Sequence, residues 1–228
     1  MVIKRTVSFV LLLQDDFSGA VQSDPGQRFC VNGRTVCPMK KPEGYLVFFG
    51  LSGTEYEVSI SSAKYLDTLL HIDSGKLDPK YPVVTVRLFR KPGVWFPDSE
   101  WLDGCKGKPG QMAVLPSPET LSLSLRTMED AGDGSVKVGL MGYSTRDLVG
   151  LRFSVGQKAD CETFIITRKL DEGQYLIDRP LLKKHKSGDQ VVRTFAAMCG
   201  ENGGFSIPVE PGYNSKDPAF QFLKAEAM

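Results

Sequence analysis

Glycine and proline divide this chain into short apolar runs, and their spacing is the feature that most constrains its fold. The 228 residues include 23 glycines and 14 prolines, about a sixth of the chain, against a usual share of about 12%. Such spacing leaves little room for long helices but is typical of proteins built from short strands joined by turns. The sequence therefore predicts an all-β fold with few helical residues.

The first hundred residues alternate between predicted strands and turns. Asn32-Gly33 is the strongest hairpin signal in the chain, because both positions of such a turn favour residues that tolerate positive φ. The run at 45–49 is apolar on both faces and predicts a central strand, whereas apolar and polar residues alternate at 55–60, as expected for a strand with one buried face. Strands are predicted at 6–13, 27–31, 34–37, 45–49, 54–60 and 83–89.

Residues 62–72 leave two alternatives open. Ser62 is a suitable helix N-cap, and Leu66, Leu69 and Leu70 follow it at a helix-compatible spacing. The segment is short for a helix, however, and is equally compatible with an extended excursion.

The N-terminal residues faintly resemble the basic and apolar regions of a signal peptide, since Lys4-Arg5 precede an apolar run at 7–13. Asp15-Asp16 occupy the place where small residues should precede a cleavage site. We therefore expect a buried first strand that ends in a turn at 15–19.

Residues 92–118 differ in composition from the chain on either side, with five prolines and four glycines. These residues exclude a long helix or a central strand. The segment is predicted to be an ordered connector, pinned by Trp95, Phe96 and Trp101.

A second series of short strands follows the connector and predicts a small β-barrel. The last residues have the composition of a tail in which Phe220 and Phe222 dock onto the preceding structure. The predicted domains are a β-sandwich at 1–91, the connector at 92–118, the barrel at 119–212 and the tail at 213–228. Strands of the second series are predicted at 121–126, 136–140, 151–155, 162–169, 174–178 and 190–195.

One stretch of the first domain carries a family resemblance. It reads Gly44-Tyr45-Leu46-Val47-Phe48-Phe49-Gly50-Leu51-Ser52-Gly53-Thr54-Glu55-Tyr56-Glu57-Val58-Ser59-Ile60. This order of glycine, aromatic strand, Gly-Leu turn, glycine and tyrosine strand resembles the carboxypeptidase-regulatory-like, or transthyretin-like, β-sandwich. The upstream turn at 16–19 and the Asn32-Gly33 hairpin are similar to parts of the same module. The resemblance covers about residues 6–65 and implies a binding or structural module.

A second resemblance lies in the predicted barrel, at about residues 150–195. A polar Glu162-Thr163 strand is followed by a strand end at 176–181, a loop from His185 to Gly188 and a closing valine strand. This order is similar to a β-barrel motif of phage-tail-type assembly proteins. It implies a structural role and no catalysis.

Charge and motif content exclude several classes of function. The chain has 28 basic and 27 acidic residues, a net charge of +1, whereas a protein that binds phosphate backbones would show a basic excess. No run reaches the ~18 apolar residues of a membrane-spanning helix. Phosphate-binding motifs of the GxxxxGK[ST] or GxGxxG type are absent, so nucleotide binding has no support.

The cysteines indicate a reducing compartment. They number five and form neither a C-x-x-C pair nor a zinc-like cluster. An odd number without a secretory framework is typical of reduced thiols in the cytosol. A disulfide between Cys30 and Cys37 would require the intervening residues to form a hairpin.

The two histidines offer the first candidates for chemistry. His71 and Asp73 would lie on the same side of a strand and form the best metal-binding fragment. A zinc site takes three or four ligands, and with no third histidine nearby we expect no metal. His185 lies in a basic turn, where we expect its ring to hydrogen-bond the loop backbone.

Three further candidates have structural explanations. Cys105 lies near Lys106 and Lys108, which favour a reactive thiolate, but a surface cysteine explains it equally well. Ser144 lacks the second glycine of a nucleophile elbow and is interpreted as a turn residue. An acidic cluster that lacks EF-hand spacing is interpreted as a solvated turn rather than a calcium site; it comprises Glu129, Asp130 and Asp133.

The aromatic residues of the connector are the strongest candidate for a binding surface. Trp95, Phe96 and Trp101 lie in a segment too short to bury them by itself. Packing between domains is one explanation. A protein interface is the second, since tryptophan is enriched among interface anchors, and a carbohydrate site is the third, since aromatic faces pack on sugar rings.

The sequence therefore predicts a non-catalytic structural or adaptor subunit that docks with other proteins, for example in a phage-tail-like or contractile-injection particle. No cofactor and no metal are expected, and the partners would be other subunits in a homo- or hetero-oligomer. The chain would be cytoplasmic when synthesised, or part of a released particle. One alternative is a carbohydrate-binding accessory module that uses the connector aromatics. Another is a hydrolase with a site that involves Cys105 or His185.

Overall fold

The structure, a computed structural model, describes residues 6–22, 26–117, 123–130, 136–142, 147–156, 161–213 and 218–224. Strand accounts for 55% of it and helix for 2%, which confirms the all-β prediction. The chain divides into two compact units. The first unit contains the described residues up to Asp15 together with Ala20–Val94. The second contains Asp16–Gly19 and the described residues from Trp95 onward.

The first unit is built from two four-stranded sheets, with strand orders β4-β5-β1-β8 and β3-β2-β6-β7. The β1–β8 pair is parallel, and β5 is an inner strand, as its two apolar faces predict. A single 3₁₀ turn, Ser74–Lys76, follows β7. The strands are β1 (Val7–Asp15), β2 (Arg28–Val31), β3 (Arg34–Val36), β4 (Met39–Lys40), β5 (Tyr45–Phe49), β6 (Glu55–Ser61), β7 (Thr68–Asp73) and β8 (Val83–Leu88).

Aromatic side chains join the two sheets of the first unit. Phe9 on β1 stacks on Phe48 of β5, with ring centroids 4.5 Å apart. Across the core, Phe9 also contacts Tyr56 of β6 at 5.1 Å, and Phe48 contacts Phe29 of β2 at 5.8 Å. Aromatic pairs at these separations stabilise a core beyond their buried area. The two sheets therefore share one hydrophobic core.

Asp15 ends β1 as a fully buried carboxylate. Arg90 holds it with two hydrogen bonds, from Nε to Oδ2 at 2.8 Å and from Nη2 to Oδ1 at 3.2 Å. The hydroxyl of Tyr65 donates a third hydrogen bond to Oδ2 at 2.9 Å. Burying a carboxylate is costly unless it is paired and hydrogen-bonded, and this site meets both conditions.

The segment at 62–72 is extended rather than helical. Side chains along β7 alternate between the core and solvent, with Thr68, Leu70 and Ile72 buried. A helix would distribute these residues around its circumference, whereas a strand places all three on one face. Of the two alternatives that the sequence left open, the extended one is observed.

Six strands of the second unit pair in a closed ring, in the order β11-β12-β15-β14-β13-β16, and β11 then pairs again with β16. Their inward side chains form a core that includes Phe153, Phe164 and Ile166. The strands are β9 (Glu100–Gly104), β10 (Gln111–Pro116), β11 (Leu123–Asp130), β12 (Val136–Met141), β13 (Arg152–Val155), β14 (Glu162–Asp171), β15 (Gln174–Ile177), β16 (Gln190–Met198), β17 (Phe205–Val209) and β18 (Gln221–Lys224).

The prediction of a connector at 92–118 is wrong, because these residues carry β9 and β10 of the second unit. β9 pairs with β17, and β10 lies between β16 and β18. Glycine and proline occupy strand ends here: Gly104 is the last residue of β9 and Pro116 the last of β10. Proline at a strand end costs no ladder hydrogen bond.

The predicted tail also contributes a strand, since β18 extends the sheet beyond β10. Phe220 and Phe222 dock as expected, with their rings 4.9 and 5.6 Å from that of Phe205. The C-terminal residues described in the structure are therefore part of the second unit.

The loop Asp16–Gly19 leaves the first unit and packs in the second. Asp16 is buried against Arg152, whose Nη2 donates to Oδ1 at 2.6 Å and whose Nε donates to Oδ2 at 3.2 Å. Phe17 stacks on Phe195 at 5.3 Å. The guanidinium of Arg193 lies 5.7 and 5.0 Å from the centroids of these two rings. The predicted turn is therefore present at 16–18, and it is an anchored part of the second unit's core.

The loop comes very close to the chain at Gly150, and both residues at this contact are glycines. Gly19 and Gly150 both have positive φ, +72° and +84°. A Cβ on Gly150 would lie 2.9 Å from the carbonyl oxygen of Gly19 and 3.0 Å from its Cα. Both positions therefore need glycine for the space as well as for the backbone conformation.

Replacing Gly150 by alanine should destabilise the second unit more than the same change at Gly110. Gly110 has a similar φ of +73° but open space where a Cβ would lie. Gly110→Ala should cost about 1–2 kcal/mol for the backbone alone, and Gly150→Ala at least about 1 kcal/mol more, because backbone atoms must move. Urea unfolding of both variants measures the difference, and equal losses would contradict the close approach.

Candidate functional site

The three aromatic residues predicted to bind a partner differ in exposure. Trp95 is 79% exposed, and its indole makes no hydrogen bond or ring contact with a described residue. Phe96 is buried, and its backbone bridges Ser99. Trp101 is half-buried on β9, opposite Pro208 of β17. The exposed aromatic surface at this place therefore consists of Trp95.

The side chain of His185 is held in a polar site of the second unit and is 2% exposed. Its Nε2 lies 2.8 Å from Oε2 of Glu162, and its Nδ1 lies 3.7 Å from Oδ2 of Asp189. The prediction that the ring hydrogen-bonds the loop backbone is wrong, because its Nε2 contacts the carboxylate of Glu162 instead. No local pattern reveals this partner, which lies 23 positions away.

Glu162 organises the loop that carries His185. Its carboxylate accepts the N–H groups of Leu182 and Lys183, both at 2.8 Å. Burial alone would raise the pKa of Glu162, but these bonds and that of the His185 ring outweigh it and lower the pKa. Glu162 is therefore a carboxylate at neutral pH that fixes the loop.

The other candidates have different surroundings. His71 is exposed on β7, and the Asp73 carboxylate accepts the N–H of Gly75 and pairs with Lys76. Within the described residues, no group of three or more histidine, cysteine or acidic side chains is placed to hold a metal ion. Ser144 and Asp133 lie outside the described residues, as do the side chains of Glu129 and Asp130.

All five cysteines are free thiols. Cys30 and Cys37 flank the predicted Asn32-Gly33 hairpin, which is present, yet they form no disulfide. Cys105 is exposed. Burial raises the pKa of the Cys161 thiol and of the Cys199 thiol, which makes both less reactive.

An open cavity of about 930 Å³ lies on the first unit. The outer face of β5 contributes Val47 and Phe49 to its wall, and β1 contributes Val10. Its charged lining residues are Lys41 and Lys80. The volume lies within the range of small-molecule sites. The signal in the sequence was the apolar run at 45–49, whose second face lines this cavity.

Two tyrosines stand at the wall of this cavity. The hydroxyl groups of Tyr45 and Tyr81 are 2.7 Å apart, and their rings meet edge to face at 6.4 Å. The hydrogen bond to Tyr81, with burial and the nearby Glu43 charge, raises the pKa of Tyr45. The Tyr45 phenol therefore remains neutral at physiological pH.

The outer edge of β7 is another feature that the sequence did not reveal. Among the strands that the structure describes, β7 pairs only with β6 and ends its sheet. Its exposed face carries Leu69, 55% exposed, and His71. The hydrophobic pattern shows a half-buried strand, but only the non-local pairing shows that it lies at an edge.

Glu162→Gln should destabilise the second unit at pH 7 by about 1–3 kcal/mol. The substitution removes the negative charge of a carboxylate that takes part in three hydrogen bonds. A carboxyl with a lowered pKa contributes stability above the ordinary pKa of 4.5, and this contribution disappears as pH falls through the lowered value. Urea unfolding at a series of pH values measures the difference from wild type. The exposed Glu172→Gln is the control, and a loss that stays constant with pH would contradict the role of the charge.

Comparisons with known proteins give no match: no family model, no curated protein and no solved structure is similar to this chain. No helix in the described part of the chain is long and apolar enough to cross a membrane.

Proposed function

We propose that this chain is a non-catalytic adaptor subunit that docks with other protein subunits, of the kind found in phage-tail-like or contractile-injection particles. The observation that carries this proposal is Trp95, a large aromatic side chain that is 79% exposed. Tryptophan is one of the residue types enriched among the anchors of protein interfaces. A partner that covers this indole would gain the free energy of burying one of the largest apolar side chains.

The positions of the titratable candidates favour docking over catalysis. The side chain of His185 is buried and bonded to Glu162, and Asp73 caps a turn and pairs with Lys76. A nucleophile needs an adjacent base within hydrogen-bond reach. The exposed thiol of Cys105 has no hydrogen bond or ion pair with a described residue, and a hydrolase site therefore has less support than a docking surface.

The family relationships remain part of this proposal. We assign the first unit to the transthyretin-like sandwiches, supported by its two sheets with a shared aromatic core. We assign the second unit to the small β-barrels, supported by its closed ring of strand pairings. Both assignments fit binding and structural modules, although a fold alone does not determine function.

A carbohydrate-binding module is the second candidate, and Trp95 supports it too, since an exposed indole face packs on sugar rings. The proposed platform of three aromatics is reduced to one, however, because Phe96 is buried and Trp101 is half-buried. Protein docking is therefore the better supported function.

Trp95→Ala should abolish a stoichiometric complex without unfolding the chain. The tagged protein is purified from its native host, and the mass of the recovered species is measured by light scattering. Wild type should elute in a particle of fixed composition, and Trp95→Ala should elute alone. Leu182→Ala, at a residue of equal exposure, 80%, is the matched control and should keep the complex.

Two outcomes would contradict the docking function of Trp95. One is a wild-type protein recovered as a monomer, and the other is a complex that Trp95→Ala leaves intact. Quenching of tryptophan fluorescence by a glycan, lost in Trp95→Ala, would instead establish the carbohydrate alternative.

A further inference from the structure

The outer edge of β7 has unpaired backbone groups, as the hydrogen bonds around it show. Beyond the end of β7, the N–H of Ser74 donates to the carbonyl of Thr54 at 2.7 Å. Hydrogen-bonded and non-bonded positions alternate along an antiparallel pair. Counting back from Ser74, the backbone N–H and C=O groups of residues 72, 70 and 68 point toward β6, and those of residues 71 and 69 point away from it.

The partner strand confirms this count. Opposite His71 lies Glu57, whose carbonyl accepts the N–H of Asn32 at 2.9 Å and whose N–H donates to the Asn32 side chain at 2.8 Å. Glu57 therefore directs its backbone groups toward β2. The N–H and C=O groups of Leu69 and His71 are left at the open side of the sheet, where no described residue bonds them.

Several of the features that prevent strand addition are missing from this edge. Proteins protect edge strands with proline, lysine, a β-bulge or very short length. β7 has six residues, Thr-Leu-Leu-His-Ile-Asp, and pairs with β6 without a register shift. The opposite edge of the same sheet is β3, with only three residues. Of these two edges, β7 is the one able to accept a further strand of useful length.

The two faces beside this edge differ in chemistry. On the inner face, Leu70 and Ile72 are buried in the core, so an added strand would extend an apolar layer there. On the outer face, Glu55 and Glu57 are exposed, and β6 places them opposite Asp73 and His71. An added strand would lie about 4.8 Å from β7 and so about 9.6 Å from β6, a separation that a lysine or arginine side chain and a glutamate side chain span together.

We propose that β7 binds an extended segment of a partner protein in which apolar residues alternate with lysine or arginine, by addition of a strand to the open edge. Main-chain hydrogen bonds would give affinity, and the alternating side chains specificity. A second copy of this chain is a poorer occupant, because it would bring its own Glu55 and Glu57 to the same acidic face. This surface is independent of Trp95 and would give the adaptor a second docking site.

The test uses the peptide acetyl-Val-Lys-Val-Lys-Val-Lys-amide and the full-length protein. Saturating peptide should slow amide hydrogen exchange at Leu69 and His71 at least tenfold, because both donors become hydrogen-bonded. A peptide with glutamate in place of lysine, and one methylated at alternate backbone nitrogens, should bind at least tenfold more weakly. Unchanged exchange at both residues, or equal binding of all three peptides, would overturn the proposal.

His71→Pro is the matching variant of the protein. It removes only a donor that faces away from β6, which is where an edge strand tolerates proline. Peptide affinity should fall at least tenfold, whereas His71→Ala, which keeps the N–H, should bind as wild type does. Binding that survives in His71→Pro would overturn strand addition at this edge.

A second variant guards against a folding defect in His71→Pro. The double substitution Glu55→Lys and Glu57→Lys alters only exposed side chains and should reverse the preference toward the glutamate peptide. An unchanged preference, or a peptide-free protein that dimerises through β7, would overturn the proposed partner chemistry. Trp95→Ala should leave peptide binding unchanged, so a failure of the Trp95 interface and a failure of this edge are told apart.

Discussion

Two consecutive buried carboxylates carry the organisation of this protein. Asp15 and Asp16 have 0% and 5% of their surface exposed, and each meets an arginine through two hydrogen bonds. Asp15 bonds Arg90 in the first unit, and Asp16 bonds Arg152 in the second. Removing one partner of a buried pair leaves an uncompensated charge. Each unit therefore depends on one of these two adjacent aspartates.

The rest of the loop follows from the position of Asp16. Once its carboxylate is fixed on Arg152, Phe17 reaches the ring of Phe195, and Gly19 meets Gly150. Burial alone would lower the pKa of Arg152, but the charge and hydrogen bond of Asp16, with Asp178, raise it above its ordinary value. The guanidinium therefore remains charged at any pH at which the protein folds, and the pair is maintained.

Much of the strand pattern could be predicted from the sequence, and the errors have physical causes. Alternation and turn chemistry are local, so strands such as β5 and β6 were found nearly to the residue. The ends of β9 and β10 contain glycine and proline, which conceal strands that long-range pairing stabilises. The turn at Asp15 and Asp16 could be predicted, but the burial of their carboxylates could not, because the arginine partners lie 75 and 136 positions away.

The same distinction applies to the docking surfaces. The sequence singles out Trp95 together with Phe96 and Trp101, but it leaves packing between domains, a protein interface and a carbohydrate site open for all three. Burial of Phe96 depends on distant elements and could not be predicted. The edge of β7 is a property of sheet order, which no local pattern contains, and its acidic face arises only when β6 aligns Glu57 with His71.

A double-mutant cycle on Asp16 and Arg152 tests the dependence on buried carboxylates most directly. Asp16→Asn, Arg152→Met and the double variant are compared by the free energy of opening that hydrogen exchange reports for the most protected amides of β13 and β16. Each single change should cost about 3–5 kcal/mol, and the double change should cost less than the sum by at least about 2 kcal/mol. Additive losses within about 0.5 kcal/mol would mean that the two residues act independently, and would contradict the account.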